Sequence, residues 1–392
     1  MKKSIILCFS IIIVILLSSC NSGTTNTAET KDTVAAMAAR PDWALLPFIK
    51  LDSANPVLIP GKASFTDPIR KQAVLWEEKD VFNPATVVRN DSLFLLYRAQ
   101  DRIGKPAGTS RIGLAVSTDG FHFTKMPAPV LYPANDAFKK YEWEGGIEDP
   151  RVVEDSSGTY YLTYTAFDGK QARLFVASST DLTHWKKYGC VFAKAYNGKY
   201  MNVWSKSGSI VSTYAGGKIR ATKINGKYWM YWGDKYIWAA TSEDLINWSP
   251  VEKDAADTAK SDMPFYGVDI TKLKTVIKPR EGKFDNDLVE SGPPAMLTDK
   301  GIVLLYNGRN LPATGDKTLV EGTYTSCQVL LDKTDPAHII DRMNNYFMKP
   351  EKAYELSGQV NQVCFIEGLA QFKNKWWLYY GTADSKIAVT VK

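Results

Sequence analysis

The densest group of residues able to do acid–base chemistry lies in the segment Glu144–Arg151, which reads EGGIEDPR. It holds three carboxylates and one arginine, directly before an apolar pair that indicates the start of a strand. The pair Gly145–Gly146 would let the backbone approach a ligand closely, because glycine has no side chain. Positioned carboxylates are what general acid–base catalysis requires. We therefore predict a site that includes Glu148, Asp149 and Arg151.

Other charged residues stand where apolar strand patterns break off. A charge at the end of a buried strand is costly unless it is paired or faces a ligand. The residues concerned are Arg98, Asp101, Arg111, Lys206, Asp234, Glu290, Glu367 and Asp384. Each one alone also fits a turn or a structural ion pair. Because acids recur at the same strand-end position in several parts of the chain, we favour glycoside chemistry, which uses two carboxylates and needs no metal or cofactor.

The strands that would position these residues belong to a repeat. An apolar–aromatic strand ending in tyrosine occurs five times, and the aligned tyrosines recur about every 70 residues. They are Tyr97, Tyr164, Tyr231, Tyr306 and Tyr380. A fixed period of this size with several strands per unit is typical of a β-propeller. We predict an all-β fold, a five-bladed β-propeller over residues 46–392, with a β-sandwich as the alternative.

The N-terminus has a different composition. Lys2 and Lys3 precede the apolar run Ile5–Leu17, which is followed by Ser18, Ser19 and Cys20. A basic start, a short apolar stretch and small residues at a cleavage point indicate a secretory signal peptide over residues 1–19. Residues 17–20, which read LSSC, resemble a bacterial lipobox. We predict an acylated Cys20, a flexible tether over residues 20–45 and an exported lipoprotein at the outer membrane; the alternative is an ordinary signal peptide with a chance cysteine.

Composition excludes several classes of function. The formal net charge is +6, and the basic residues are dispersed, which argues against nucleic-acid binding. Cys190, Cys327 and Cys364 lack regular spacing, so we predict neither a disulfide framework nor a zinc site. The chain has 11 Trp and 20 Tyr but only 3 His, a balance that suits a sugar-binding cleft better than histidine-based catalysis. Membrane contact is expected only through the lipid anchor.

A series of motifs resembles glycoside hydrolase family 130, whose members are five-bladed propellers acting on β-mannosides. In chain order they are Phe82–Ala85, Leu96–Arg98, Ser110–Ala115, Gly146–Arg151, Lys223–Trp248, Glu290–Pro294 and Tyr380–Asp384. The resemblance spans the mature chain and implies an inverting phosphorylase or hydrolase. It implies that Asp149 is the general acid, passing its proton through the 3-hydroxyl of the sugar. It further implies that Arg98, Arg151 and Lys206 line the subsite or contact phosphate.

Taking the resemblance and the strand-end residues together, we predict a set of substrate-binding residues. The set is Asn83, Arg98, Asp101, Arg111, Glu148, Arg151, Lys206, Glu367 and Asp384. The expected ligand is a β-mannoside oligosaccharide, and the sequence leaves the oligomeric state open.

Two positions depart from the phosphorylases of this family. Where many of them carry a His-Arg pair, this chain reads Tyr231–Asp234, and Glu290 stands where they tend to have a neutral stretch. Two anions facing an incoming phosphate would repel it, the more so in a partly desolvated cleft. The same anions could hold and deprotonate a water, opposite an acid about 6.5–9.5 Å away.

The departure favours hydrolysis. We predict an inverting, exo-acting β-mannosidase on β-1,2-linked mannosides, with Asp149 as the acid and with Glu290 or Asp234 as the base. A phosphorylase is the nearest alternative, although export would release its sugar phosphate outside the cytoplasm. A glycan-binding lipoprotein without catalysis is the other, although binding alone does not require an acid at position 149.

Overall fold

The computed structural model describes residues 40–253 and 268–392. Trp43–Lys392 form one compact unit. In the described ranges the fold is nearly all strand, with two helices of four residues, Lys139–Glu142 and Ala353–Leu356, and a 3-10 turn at Ala195–Gly198. No helix in this part of the chain is long and apolar enough to cross a bilayer. The all-β prediction is confirmed.

The predicted leader lies largely outside this description. The signal peptide 1–19, the lipidation site Cys20 and the tether up to residue 39 fall outside the described residues. At the end of the tether, the Trp43 indole donates to Asp341 Oδ2 at 2.9 Å, and the Leu45 N–H donates to Gln328 Oε1 at 2.8 Å. These two residues therefore already pack on the body of the protein.

The strands run through the whole described chain. In chain order they are β1 (Ile49–Lys50), β2 (Ser64–Asp67), β3 (Gln72–Leu75), β4 (Asp80–Arg89), β5 (Ser92–Gln100), β6 (Ser110–Ser117), β7 (Thr124–Lys125), β8 (Gly146–Glu154), β9 (Tyr160–Phe167), β10 (Ala172–Ser179), β11 (Lys186–Cys190), β12 (Ser209–Ile210), β13 (Ser212–Ala215), β14 (Lys218–Ala221), β15 (Lys223–Ile224), β16 (Lys227–Trp232), β17 (Asp234–Lys235), β18 (Ile237–Ser242), β19 (Trp248–Pro250), β20 (Thr275–Ile277), β21 (Leu288–Ser291), β22 (Met296–Leu297), β23 (Ile302–Arg309), β24 (Tyr324–Leu331), β25 (Ile339–Arg342), β26 (Cys364–Phe372), β27 (Lys375–Thr382) and β28 (Lys386–Val391).

Antiparallel pairing groups most strands into five consecutive units. The first is β4–β5–β6–β7, the second β8–β9–β10–β11, and the third β12–β16–β18–β19. The fourth is built on β21 and β22 with β23, β24 and β25, and the fifth is β26–β27–β28. Strand β1 pairs with β28, so a strand from the beginning of the chain completes the unit at its end.

Each unit packs on both of its neighbours. Successive residues of a strand point to opposite faces, and here both faces are buried, which explains the continuous apolar runs. Units one and two contribute to one buried cluster, as do two and three, three and four, four and five, and five and one. The shared clusters include Leu96 and Leu162, Val176 and Trp238, Ile237 and Leu304, Leu305 and Leu378, and Leu95 and Tyr379, respectively. The described strands form no closed sheet. The five-bladed propeller therefore stays a prediction, which this cyclic packing supports.

The aligned tyrosines have a common role. In four units the tyrosine hydroxyl donates to a buried carboxylate that also pairs with a basic side chain. The combinations are Tyr97–Glu77–Lys125, Tyr164–Glu142–Lys187, Tyr306–Asp285–Arg342 and Tyr380–Glu355–Lys50. In the third unit Tyr231 donates instead to the Pro336 carbonyl, at 2.8 Å. The tyrosine repeat in the sequence thus reflects a buried hydrogen bond that the tyrosine hydroxyl makes in each unit.

This difference predicts unequal stability effects. Tyr164→Phe leaves Oε1 of the fully buried Glu142 without its donor, although Lys187 still binds Oε2, and we expect a loss of about 1–3 kcal/mol in the free energy of unfolding. Tyr231→Phe removes a bond to a neutral carbonyl, and about 0.5–1.5 kcal/mol is expected. Urea unfolding midpoints of the two variants measure the difference; equal shifts would contradict this role for the carboxylate.

Candidate active site

Bulges at the start of three units aim polar side chains to one side. The strand register shifts by one residue at Asn83 in β4, between Glu148 and Arg151 in β8, where Asp149 lies, and at Glu367 in β26. A bulge leaves the extra residue out of the ladder and redirects its side chain. Asn83 and Asp149 both have φ of 48°, a left-handed conformation uncommon for residues with a side chain. The bulges thus bring Asn83 Nδ2 to 2.9 Å from Asp149 Oδ1.

Asp149 is buried and surrounded by donors. Its Oδ1 accepts hydrogen bonds from Asn83 and from the Arg98 guanidinium at 3.0 Å, and its Oδ2 lies 3.8 Å from Lys206 Nζ. Burial by itself would raise the pKa of Asp149, but the charges of Arg98 and Lys206 outweigh it and hold the pKa well below its usual range. Asp149 is therefore ionised in the site without substrate.

Arg98 joins the two acids of the second unit. It donates to Asp149 Oδ1, to Glu148 Oε1 at 2.7 Å and to Ser110 Oγ at 3.0 Å, and it lies over the Phe82 ring at 4.6 Å. Burial raises the pKa of Glu148, although the charge of Arg98 opposes this. All three nitrogens of the guanidinium are thus committed to side chains of the protein.

Asp234 and Glu290 lie next to each other. They are direct partners in the antiparallel pairing of β17 with β21, which places their side chains side by side. Ser207 Oγ donates to Glu290 Oε1, and Trp204 Nε1 donates to Asp234 Oδ2 at 2.8 Å. Burial raises the pKa of Asp234 to about 6; Lys206 opposes the rise and Glu290 adds to it.

Lys206 links the two groups of acids. Its Nζ lies 3.8 Å from Asp149 Oδ2 and 3.9 Å from Glu290 Oε1. Asp149 Oδ2 and Glu290 Oε1 therefore border the same site, on either side of the Lys206 ammonium group. In each of Asp149, Glu290 and Asp234, hydrogen bonds hold one oxygen and leave the other for chemistry. The arrangement can place an acid and a base on opposite sides of a bond.

Comparison with known proteins identifies the family. Residues 56–392 match the model of glycoside hydrolase family 130, described as beta-1,4-mannooligosaccharide phosphorylase. The chain belongs to glycoside hydrolase family 130. A relative named 1,2-beta-oligomannan phosphorylase, from Thermoanaerobacter sp., is 30% identical over 352 residues, which are 88% of this chain and 96% of the relative. The resemblance inferred from the motifs is confirmed.

Solved structures of the family are more similar still. A glycosyl hydrolase from Bacteroides ovatus is 45% identical, with a TM-score of 0.83, covering 90% of this chain and 95% of its own. Another structure is 44% identical, with a TM-score of 0.84 and the same coverages. The description of that structure says that the GH130 family of mannoside phosphorylases contains glycoside hydrolases that target beta-1,2 mannosidic linkages in Candida mannan. The family 130 chain is thus similar to both phosphorylases and hydrolases of mannosides.

Two further acids of this family 130 site have unusual surroundings. Glu367 is fully buried, and its nearest cation is Arg151, at 3.4 Å. Burial raises the pKa of Glu367 well above its usual range, against the opposing charge of Arg151. Burial likewise raises the pKa of Asp384 to about 7, opposed by Arg98 and reinforced by Asp149.

The raised pKa of Asp384 predicts a pH-dependent stability effect. The pKa of a free aspartate is about 3.9. The stability that neutral Asp384 provides is therefore lost as the pH rises from about 4 through about 7. Asp384→Asn should therefore be more stable than the wild type at about pH 8, by roughly 1–2 kcal/mol after allowing for solvent screening, and similar to it at about pH 4.5. Denaturant midpoints at both pH values test this; a difference independent of pH would contradict it.

Three of the predicted binding residues serve the framework. Arg151 is buried and donates to the carbonyls of Ser291 and Gly292, at 2.7 and 2.8 Å. It thereby ties the second unit to the turn that carries Glu290. Arg111 is fully buried and bonds Asp101 Oδ2 at 2.8 Å, while Asp101 Oδ1 receives N–H groups of its own loop. Arg98 and Lys206, by contrast, lie directly between the acids.

The glycine pair contacts protein. A side chain at Gly146 would come within 2.2 Å of the Ser110 carbonyl oxygen, and one at Gly145 within 2.3 Å of the Phe167 ring. Gly146 pairs with Ser110 where β8 meets β6 of the first unit. The close backbone approach predicted from the sequence exists and is made to the neighbouring strands, while contact of these glycines with a ligand stays a prediction.

Sequence reasoning missed two groups of the site, Trp204 and Ser207. Both flank Lys206, and neither residue type stands out in a sequence. Ser207 has φ of 57°, a backbone feature that only the structure shows. Their partners, Asp234 and Glu290, come from segments far along the chain.

Proposed function

We propose that the protein is an inverting, exo-acting β-mannosidase that hydrolyses β-1,2-linked manno-oligosaccharides. The observation that carries the proposal is the pair of acids Asp234 and Glu290, side by side and facing Asp149 across Lys206. Hydrolysis with inversion needs an acid on one side of the glycosidic bond and a base for water on the other. The site offers both, with one free oxygen on each carboxylate.

The proposed reaction moves three protons. Water attacks the anomeric carbon from the side opposite the leaving group, and Glu290 takes its proton through Oε2, since Oε1 is held by Ser207. Asp149 gives a proton to the sugar 3-hydroxyl, which passes its own proton to the glycosidic oxygen as that bond breaks. Asp234, beside Glu290, holds the water. The products are mannose and a shortened oligosaccharide.

The ionised state of Asp149 in the empty site adds a requirement. A general acid must carry its proton when the substrate is bound. A sugar bound over Asp149 Oδ2 would exclude the remaining solvent from the carboxylate, and desolvation favours the neutral form. Substrate binding and protonation of Asp149 are therefore coupled in the proposed mechanism.

This coupling predicts different pH profiles for two rate constants. The profile of kcat/KM reflects the free enzyme and that of kcat reflects the enzyme–substrate complex. Since Arg98 and Lys206 lower the pKa of Asp149 in the free enzyme, the alkaline limb should lie at higher pH for kcat than for kcat/KM. Initial rates across pH, at saturating and at low substrate concentrations, measure both limbs. Coincident alkaline limbs would argue that substrate does not change the proton affinity of the acid.

The charge of the site supports water over phosphate as the nucleophile. Glu290 and Asp234 lie where an incoming anion would be repelled, and the pKa of Asp234 near 6 leaves it largely ionised at neutral pH. Arg98, which lies beside Asp149, is already bonded to Asp149 and Glu148. A phosphate would have to displace these contacts.

Phosphorolysis is the second candidate. The 30% identical relative from Thermoanaerobacter is named a phosphorylase, and Arg98 and Lys206 provide two cations beside Asp149. A phosphorylase of this kind would release mannose 1-phosphate.

We also propose how the chain is organised around this site. The cyclic packing of the five units supports a five-bladed propeller over residues 46–392. The LSSC segment supports a signal peptide 1–19 and a tether 20–45 that starts at acylated Cys20. With such an anchor the enzyme would be an exported lipoprotein of the outer membrane.

Product analysis on β-1,2-mannobiose, with and without inorganic phosphate, tests the function. Free mannose in equal amount under both conditions supports the hydrolase. Mannose 1-phosphate formed only with phosphate would establish the phosphorylase instead. Binding of the disaccharide without any product would point to a glycan-binding protein.

A further inference from the structure

We propose that Ser207 is a positioning residue that fixes the orientation of the base Glu290. The inference rests on the proposed hydrolase and assigns a role to a residue that no sequence motif marks. Ser207 is 1% exposed and donates from Oγ to Glu290 Oε1. Because Lys206 also lies on the Oε1 side, at 3.9 Å, Oε2 is the oxygen left to accept a proton from water.

The backbone around Ser207 is held by three units. The Gly208 carbonyl accepts from Thr163 Oγ1 of the second unit at 2.8 Å, and the Lys206 carbonyl accepts from the Gly233 N–H of the third at 3.0 Å. Ser209 Oγ donates to the Pro293 carbonyl of the fourth at 2.6 Å. A side chain on such a fixed segment can hold a carboxylate in one orientation, which catalysis requires.

The conformation of Ser207 points to a role for its hydroxyl. With φ of 57°, the residue occupies a region that glycine adopts without strain and other residues at a cost of about 1–3 kcal/mol. Glycine would therefore suit the backbone better. What serine adds is the hydroxyl, and the hydroxyl bonds the carboxylate of Glu290.

Other charged or titratable groups also face Glu290. They are Lys206, Asp234, Tyr324, Glu367 and Asp384. Ser207 is the side chain that donates a hydrogen bond to this carboxylate within the described residues, and a donor to a carboxylate favours its ionised form.

The test compares Ser207→Gly with Ser209→Ala on β-1,2-mannobiose without phosphate. Ser207→Gly removes the hydroxyl and suits the positive φ. We expect kcat to fall about tenfold, KM to change less than about twofold, and the acid limb of kcat/KM to move up by about one pH unit. Ser209→Ala loses a comparable buried bond to the turn that follows Glu290, and we expect it to keep the wild-type pH profile.

The outcomes separate this inference from the proposed function. If the wild type releases mannose without phosphate and Ser207→Gly keeps the wild-type acid limb, Ser207 is structural and the inference is wrong while the hydrolase stands. If both serine variants shift the limb equally, the effect is one of local packing, and the inference is again wrong. If the wild type needs phosphate, no base is required and both proposals fail together. Ser207→Ala provides the same comparison should the glycine variant fold poorly.

Discussion

Asp149→Asn is expected to lower kcat/KM on β-1,2-mannobiose by about 10²–10⁴-fold, the usual contribution of a general acid. Asparagine has the shape of aspartate, and its Oδ1 can still accept the hydrogen bonds of Asn83 and Arg98. The substitution therefore removes the transferable proton and the charge next to Lys206 while keeping the packing. Release of mannose at low substrate concentration measures the loss.

The leaving group distinguishes an acid from a residue that only binds sugar. In an aryl β-mannoside with a good leaving group, such as dinitrophenolate, the leaving group departs without being protonated. If Asp149 is the acid, Asp149→Asn should lose far less activity on that substrate than on mannobiose. Equal losses on both substrates would instead make Asp149 a binding residue.

A control variant shows whether the loss of activity is specific to Asp149. Asp299→Asn alters an exposed aspartate in the turn before β23, and full activity is expected of it. Because the lowered pKa of Asp149 stabilises the folded state at neutral pH, Asp149→Asn should be somewhat less stable, and melting curves show whether it remains folded. Activity of Asp149→Asn within about tenfold of the wild type would place the acid elsewhere.

The acids of the site could be predicted from the sequence because their signal is local. Asp149, Glu290 and Asp234 each stand where an apolar strand pattern begins or breaks off, and a charge there is costly unless it has a function or a partner. The repeat of tyrosines likewise reflects a bond made anew in each unit, as with Tyr164 and Glu142. Features that recur within one unit can be read from one segment of chain.

The sequence could not show on which side of its strand each charged side chain lies. Arg98 and Arg111 both stand at strand ends of the first unit, and their strands pair directly. Yet Arg98 bonds Asp149, whereas Arg111 bonds Asp101 within its own unit. The alternation of side chains along the paired strands decides between these outcomes, since Arg98 lies opposite Ile112 and Arg111 lies opposite Ala99. A one-residue uncertainty in the register therefore exchanges a site residue for a structural one.

Contacts between units are the other gap. Ser207 meets Glu290 across 83 positions of sequence, and the glycine pair at 145–146 packs on the first unit. Such contacts depend on how neighbouring units are stacked, which no single segment determines. Trp204 and Ser207 were missed for this reason.

Glu290→Gly is the second variant with a large expected effect, and external anions should partly restore its activity. Loss of the base is expected to lower hydrolysis by about 10²–10⁴-fold. The missing side chain leaves space beside Asp234, on the side from which water attacks. Azide in that space needs no base, and attack with inversion on a β-mannoside would yield α-mannosyl azide. Sodium azide titrations with product analysis measure the rescue.

Phosphate provides a second nucleophile for the same variant. With the anion at position 290 removed, Asp234 is the carboxylate that remains at this place in the pairing of β17 with β21, so repulsion of a phosphate decreases. Glu290→Gly should then form α-mannose 1-phosphate slowly when phosphate is present. The hydrolase would acquire some phosphorylase activity through the loss of one carboxylate.

Controls decide whether Glu290 is the base. Glu290→Gln removes the charge but keeps the volume, so it should be as inactive as the glycine variant without being rescued by azide. Azide should change neither the rate nor the products of the wild type. Asp234→Gly tests the neighbouring carboxylate, which differs from Glu290 in its donor, Trp204 in place of Ser207. If azide restores Asp234→Gly and leaves Glu290→Gly inactive, Asp234 is the base, and the hydrogen bond from Ser207 serves a carboxylate that only positions the water.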